Sequence, residues 1–402
     1  MRRARRMMAA VLALAAMLTV PAGDALAQEG AGPGAEPGAA AALSPRAALG
    51  RRLFFDADLS RARTQSCATC HDPASGFADP RGGPVSVGDD GTSRGVRNAP
   101  TISYAALAPH FGRTAEGHFA GGQFWDGRAR TLEEQAGQPL LNPVEMAMPD
   151  KASVVARLKE KPSYVAAFRE TFGPGVFDDD ARAFAALAEA VAAYERSPEV
   201  SPFDSKYDRH LRGDYTMTPQ EELGRVLFFS NQFTNCSQCH KLTASGGEGE
   251  AFSNFRFHNI GTPANPELAA PVDHGLKGRK DIRARRHDGQ FRVPGLRNVA
   301  VTGPYMHNGV FKDLRTVILF YNKYNSSSPA RQTDPATGRP WAPPEVPGTL
   351  SLKELESGPA LDDRRIDALV AFLKTLTDRR YETLPEPVPP SAPPPAPAAP
   401  GG

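Results

Sequence analysis

Cys67-Ala68-Thr69-Cys70-His71 and Cys236-Ser237-Gln238-Cys239-His240 are two copies of one pattern, C-x-x-C-H, and together they use all 4 cysteines of the chain. The pattern carries a covalent logic. Two thiols one helical turn apart add to the two vinyl groups of one haem, and the histidine that follows is placed to ligate the iron. Paired C-x-x-C motifs also serve zinc sites and disulfides, but neither chemistry asks for a histidine directly after both second cysteines. Cys67, Cys70 and His71 are therefore expected to hold one c-type haem, and Cys236, Cys239 and His240 a second.

Working outward, the amino terminus has the three parts of a secretory signal over residues 1–27. Arg2, Arg3, Arg5 and Arg6 form a basic segment, Met7 to Val20 an apolar one, and Ala25-Leu26-Ala27 a small-x-small cleavage site. The apolar segment is too short to span a bilayer and runs into Pro21 and Gly23, and no other run is long enough. Export to the periplasm follows, the compartment where c-type haem is attached. The whole chain has 47 basic and 45 acidic residues, and loss of the leader leaves it close to neutral. That excludes a nucleic-acid binder. Residues 28–43 and 384–402, rich in Ala, Gly and Pro, read as a disordered linker and tail.

Between them the sequence repeats itself. Leu53-Phe54-Phe55 precedes the first motif and Leu227-Phe228-Phe229 the second, each after a helical segment starting at a glycine, Gly50 or Gly224. Arg97-Asn98 is echoed by Arg297-Asn298, and Trp125-Asp126-Gly127 with Leu132 by His307-Asn308-Gly309 with Leu314. Matching blocks in one order argue for duplication. The expected domains are 44–212 and 213–383, each a cytochrome c-like unit around one haem. Helical periodicity dominates: a helix capped by Asp150 and running to about Phe172, a second over 178–196, a capping box at Thr218-Pro219-Gln220-Glu221, and a closing helix over 361–376. Strand patterns are scarce, so the class is mainly α with long haem-packing loops.

Taken with the two motifs, Gln123-Phe124-Trp125-Asp126-Gly127-Arg128, Asn142-Pro143-Val144-Glu145-Met146, Leu296-Arg297-Asn298-Val299 and Pro304-Tyr305-Met306-His307 resemble the bacterial di-haem cytochrome c peroxidases. The resemblance covers nearly all of 44–380. Within that superfamily a methionine beyond the Pro-Tyr-x-His block marks the peroxidases and a tyrosine the MauG-like branch. Counting forward from Pro304 reaches Tyr321, so this chain resembles the MauG-like branch, with Tyr321 as sixth ligand of the second haem. Met306 and His307 are the alternative ligands. Read from the residues alone, Leu314, Val317, Ile318 and Tyr321 are one helical face that packs a core.

The resemblance also implies site roles. Glu145 is the pocket carboxylate that moves a proton across bound peroxide, with Gln135 and Pro139 as companions; without the resemblance it reads as an ordinary surface residue beside Met146 and Met148. Trp125 lies between the two haems. Asn98, Thr302 and Pro304 hold a calcium ion, one by its side chain and two by backbone carbonyls. Peroxidases that rest closed have a histidine after Ser-Val-Gly; here Ser86-Val87-Gly88 is followed by Asp89 and Asp90, which implies an open first haem. His110 and His118, in the inserted segment 109–121, are the alternative ligands for that iron.

The implied activity is a periplasmic oxidoreductase that uses hydrogen peroxide to reach a high-valent haem state and oxidises a protein partner by long-range electron transfer, such as a quinoprotein precursor. The alternatives are a peroxidase that detoxifies hydrogen peroxide with electrons from a small cytochrome c or copper protein, and a non-enzymatic electron carrier. The loop 325–360 with Trp341 and the basic stretch 277–286 are candidate docking surfaces.

Overall fold

Helix signals in the sequence are met by side-chain caps almost everywhere in the computed structural model, which describes residues 42–242 and 249–384. The leader, most of the linker and nearly all of the tail lie outside these residues. Among the described residues thirteen α-helices follow in order: α1 (Pro45–Phe54), α2 (Cys67–Cys70), α3 (Leu132–Ala136), α4 (Gln138–Leu141), α5 (Lys151–Lys159), α6 (Pro162–Phe172), α7 (Asp180–Glu195), α8 (Lys206–Leu211), α9 (Pro219–Phe229), α10 (Cys236–Cys239), α11 (Leu314–Asn322), α12 (Leu352–Leu355) and α13 (Asp363–Lys374). Strands in the same residues amount to three two-residue antiparallel ribbons, Gly112–Arg113 with Phe119–Ala120, Phe257–His258 with Phe291–Arg292, and Thr333–Asp334 with Arg339–Pro340. The class is mainly α, with long loops, as expected.

The caps explain the boundaries. The Thr218 hydroxyl accepts from the Glu221 N–H while the Glu221 carboxylate accepts from the Thr218 N–H, with Pro219 at the first position of α9. Asp179, Asp313 and Asp362 accept the free N–H groups at the starts of α7, α11 and α13. One expectation fails. Asp150 caps a helix, but the helix stops at Lys159 and a second begins at Pro162. Pro162 has no N–H for an i−4 carbonyl and pushes Lys161 to extended geometry, φ −109° and ψ 103°. Gly50 and Gly224 also prove to lie inside helices that begin at Pro45 and Pro219.

The reason for those glycines is packing. A Cβ on Gly50 would overlap the Ala190 carbonyl of α7, and one on Gly224 the Ala368 carbonyl of α13. Backbone meets backbone at both crossings, so nothing larger than hydrogen fits. Around the first crossing Leu49, Leu53, Phe54, Leu187, Val191 and Tyr194 form one core; around the second, Leu227, Phe228, Phe252, Leu369, Phe372 and Leu373 form another. The 2 cores hold opposite halves of the chain and each abuts one cysteine pair, through Cys67 and through Cys236.

Other echoes in the sequence become matching backbone. Phe124 and Met306 have φ of 64° and 73°, Gly127 and Gly309 φ of 66° and 63°. Each loop is closed by a bridge, Gln123 with Ala129 and Tyr305 with Phe311. Each then runs into a capped helix beginning at Leu132 or Leu314. Between the halves, the Tyr104 hydroxyl donates to Asp378 at 2.5 Å, and Asn298 donates to the same carboxylate at 2.8 Å. The buried pair of Arg297 with Asp208, at 2.8 and 2.9 Å, has Tyr104, Phe203 and Phe252 around the guanidinium.

Gly224→Ala should therefore destabilise the folded protein by about 1–3 kcal/mol through overpacking. Gly348→Ala, at an exposed site whose nearest neighbour is 3.9 Å away, should change little. Denaturant midpoints of the two variants test this; equal midpoints would show that the α9–α13 crossing can open without cost.

Candidate functional site

Each C-x-x-C-H motif folds as one turn of helix, α2 or α10, with the histidine just beyond it. The turn places both thiols on one side. The histidine is then fixed from behind. The Nδ1 of His71 pairs with the Phe77 carbonyl at 3.2 Å and that of His240 with the Phe252 carbonyl at 3.0 Å. A carbonyl only accepts, so Nδ1 carries the proton and Nε2 keeps its lone pair. Phe77 and Phe252 both have left-handed backbone, φ 55° and 56°, a conformation disfavoured for phenylalanine and held here to aim a carbonyl. Burial pushes both imidazoles down, His240 to about 4, which favours the neutral rings.

The cysteines are half-buried. Burial pushes Cys67 and Cys239 up to about 12 and raises Cys70 and Cys236. They are free thiols, not disulfides. Among the described residues no three His, Cys, Asp or Glu side chains converge as a metal cluster. A thiol pair and an imidazole with a free Nε2, with no further donors converging on them among the described residues, suit covalent attachment to a haem better than a tetrahedral zinc site.

Two cavities meet these motifs. The first, about 520 Å³, is lined by Cys67, Cys70, His71, Trp125, Gln135, Pro139 and Glu145. The second, about 250 Å³, is lined by Cys236, Cys239, His240, Trp125, Met306, His307 and Tyr321. Trp125 faces both, and its Nε1 donates to the Asn98 carbonyl at 2.9 Å. Asn98, Thr302 and Pro304 come together on the wall of the second cavity. Sequence positions spread over the whole chain thus converge on two adjoining spaces.

In the first cavity Glu145 has Oε1 held by Asn142 Nδ2 at 2.8 Å. Burial raises its carboxyl, with Arg128 and Asn142 opposing, so a group that reads as surface by itself is a half-buried carboxyl on the cavity wall. Its neighbours Met146 and Met148 are core residues. His71 is the one histidine among the lining residues; His110 and His118 are exposed and line neither cavity. Asp89, where closed peroxidases have histidine, accepts from the Ala62 N–H at 2.6 Å and the Thr64 hydroxyl at 2.8 Å, which ties its loop down.

In the second cavity Leu314, Val317, Ile318 and Tyr321 of α11 all face inward, so the core face and the ligand face are the same face. The Tyr321 hydroxyl has no hydrogen-bond partner among the described residues. Burial raises its pKa, with the nearby thiols adding to the effect, so a phenolate here requires a cation in the cavity. His307 is differently occupied: its ring stacks on Phe291 at 3.6 Å and its Nε2 lies 3.7 Å from Glu345.

Sequence reading missed two lining residues. Arg292 faces both cavities. Glu195, at the end of α7, lines the first; it is 4% exposed, and its Oε2 has no partner. Burial pushes Glu195 up to about 8. Helical spacing puts Glu195 on the buried face of α7, four residues after Val191 and eight after Leu187, whereas Glu189 lies on the exposed face; α3 packs on α7 beside it, where Glu133 pairs with Arg196 at 2.7 Å.

The pH consequence has a definite sign. Below the ordinary glutamate value of 4.5 folded and unfolded chains both hold this proton. Between 4.5 and about 8 only the folded chain does, so Glu195 lowers stability as pH rises, by at most about 1.4 kcal/mol per pH unit. Glu195→Gln should remove that slope: its advantage in melting temperature over the parent should widen from pH 5 to pH 8. The same difference at both values would show that Glu195 does not hold a proton.

Comparison with known proteins gives concordant matches. The family described as "Di-haem cytochrome c peroxidase" matches residues 44–216. The methylamine utilization protein MauG of Paracoccus denitrificans is 59% identical over 350 residues, 84% of this chain and 90% of the relative. The cytochrome c551 peroxidase of Pseudomonas aeruginosa is 36% identical over 276 residues, 67% of this chain and 69% of the relative. Among solved structures, the diheme peroxidase BthA of Burkholderia thailandensis superposes with a TM-score of 0.74 at 36% identity, over 87% of this chain and 90% of that one.

Proposed function

The chain belongs to the di-haem cytochrome c peroxidase family, and from that premise we propose that it is a periplasmic, MauG-like oxidoreductase that takes oxidising equivalents from hydrogen peroxide and passes them to a protein partner. The observation that carries this reading is the difference between the two cavities. The first pairs one histidine with a buried carboxyl, Glu145. The second places the Tyr321 hydroxyl, without another partner, on the wall of the cavity that His240 also lines. Identity of 59% to a MauG protein supports the same branch. The repeated helix crossings and loops support two haem domains, 44–212 and 213–383, and the leader in residues 1–27 supports export.

The covalently bound haems would supply the iron at which peroxide is reduced and at which the oxidising equivalents are held; Cys67, Cys70 and His71 would hold one, and Cys236, Cys239, His240 and Tyr321 the other. The rest is the work of side chains. Glu145 Oε2, left free while Asn142 holds Oε1, takes the proton from one peroxide oxygen and returns it to the other. Gln135 and Pro139 shape the space beside it. The Trp125 indole spans the wall between the cavities and shortens the path for electrons. Asn98 Nδ2 donates to the Pro84 carbonyl, which leaves Oδ1 for a calcium ion shared with the carbonyls of Thr302 and Pro304.

A second reading, a peroxidase that detoxifies hydrogen peroxide with electrons from a small cytochrome c or copper protein, is favoured by the cytochrome c551 peroxidase relative. Turnover with such a donor separates it from oxidation of a larger protein partner. The stretch 277–286 offers a docking surface: Lys277 and Arg279 are engaged by Asp288 and Asp281, while Lys280, Arg283, Arg285 and Arg286 are exposed.

Glu145→Gln should slow the reaction of the ferric protein with peroxide by about 10²-fold or more in stopped flow, with the resting spectrum unchanged. An unaltered rate would remove Glu145 from the chemistry. Tyr321→Met, which replaces an anionic oxygen with a neutral thioether, should raise the reduction potential of the second haem. A spectroelectrochemical titration that finds the potential unmoved would exclude Tyr321 as its ligand.

A further inference from the structure

We propose that Arg292 is an anion site for the carboxylate side chains of the haems in both cavities, a single cation that the two haems share. This inference rests on the haem reading above and adds a residue to it that neither sequence nor comparison assigns.

Position comes first. Arg292 is the second residue of the strand Phe291–Arg292, which pairs with Phe257–His258. Its backbone N–H donates to the Trp125 carbonyl at 2.8 Å, and its Nε to the Phe124 carbonyl at 3.2 Å. The strand thereby locks the guanidinium to the loop that carries Trp125, on the wall that both cavities share. Five N–H donors radiate from a guanidinium in one plane, and Nε is the only one of its nitrogens with a protein acceptor among the described residues.

Charge comes second. Five arginines line the cavities: Arg94, Arg97, Arg128, Arg292 and Arg297. Arg97 is paired with Asp126 and Asp273, Arg128 with Asp126, and Arg297 with Asp208. Arg94 is exposed to solvent. Arg292 alone is screened from solvent in part and has no carboxylate at ion-pair distance. Its nearest acidic influence is Asp126, already committed to two other arginines. The surroundings oppose its charge, and burial lowers the guanidinium to about 10.

An isolated cation in such a place is costly unless a counter-charge arrives with whatever fills the space. A haem brings two propionate carboxylates, and the guanidinium fork matches a carboxylate with two parallel hydrogen bonds. Because Arg292 faces both cavities, its charge acts on both irons at once. A fixed positive charge disfavours oxidised iron, so it holds both potentials up together.

The test is a spectroelectrochemical titration of both haems in the parent protein, Arg292→Gln and Arg292→Lys, with haem attachment counted by pyridine haemochrome. It needs neither peroxide nor a protein partner. Arg292→Gln should lower both potentials, by about tenfold in each reduction equilibrium, or about 59 mV per one-electron couple. Arg292→Lys should keep the potentials near the parent values but shift the propionate bending bands of both haems in resonance Raman spectra, because the fork is lost. If the Gln variant does not mature, those bands in the Lys variant decide. Two attached haems with unchanged potentials and bands, or a change confined to one haem, would overturn the shared site. A chain isolated without covalent haem would instead overturn the haem reading itself.

Discussion

Much of this structure depends on one hydrogen bond made twice, from a histidine Nδ1 to the carbonyl of a phenylalanine in left-handed backbone. It decides the tautomer, and the tautomer decides which nitrogen is free for a metal. Phe77 and Phe252 adopt their conformations because the surroundings over-determine them. Phe77 belongs to the first core, with Phe54 6.2 Å away edge-on, and Phe252 to the second, between Phe228, Phe229 and Phe372. The aromatic clusters that repeat in the sequence before each motif are thus what holds each histidine in place. Around that fixed point the helix crossings at Gly50 and Gly224 bring the remaining wall to within reach.

The cavities differ where their chemistry should. Both have the same attachment turn and the same histidine geometry, yet buried acids gather at the first, with Glu145 and Glu195 on its wall. The second is smaller, walled by the aliphatic face of α11, and offers a phenol. One scaffold used twice thereby provides a proton-rich space and a proton-poor one, separated by an indole and a guanidinium that belong to both. The acids stand on one side of that wall, and the indole and the guanidinium face both sides.

How much of this was legible depended on the range of the interaction that fixes each residue. The attachment motifs are local, and so are the caps at Thr218 and Asp313; these are read from a few neighbouring residues. The break at Pro162 was equally local, but a continuous apolar stripe on either side of it masked a rule that the residue before proline obeys. Tyr321 was legible as core from its spacing and as a ligand through resemblance; the structure puts it, with Leu314, Val317 and Ile318, on the helical face that lines the second cavity. Thr302 and Pro304 entered only through resemblance, since a backbone carbonyl leaves no mark in the identity of a residue. Glu195 stood at helical spacing on the apolar face of α7 and was passed over because of its charge, and Arg292 carried no local signal. A glutamate in a helix and an arginine in a short strand are ordinary surface residues until tertiary packing removes the water around them, and that packing comes from segments far away in sequence.

The crossings at Gly50 and Gly224 also bear on time. Each attachment turn is complete within a handful of residues and needs no distant partner, whereas the helix that seals each crossing, α7 or α13, is supplied by chain well downstream of the turn it shelters. A chain that folds from its amino terminus completes each turn before the helix that covers it is available. Packing of that later helix then accompanies the rise that burial imposes on the thiols. The close contact of two bare backbones thus acts as a latch that closes last.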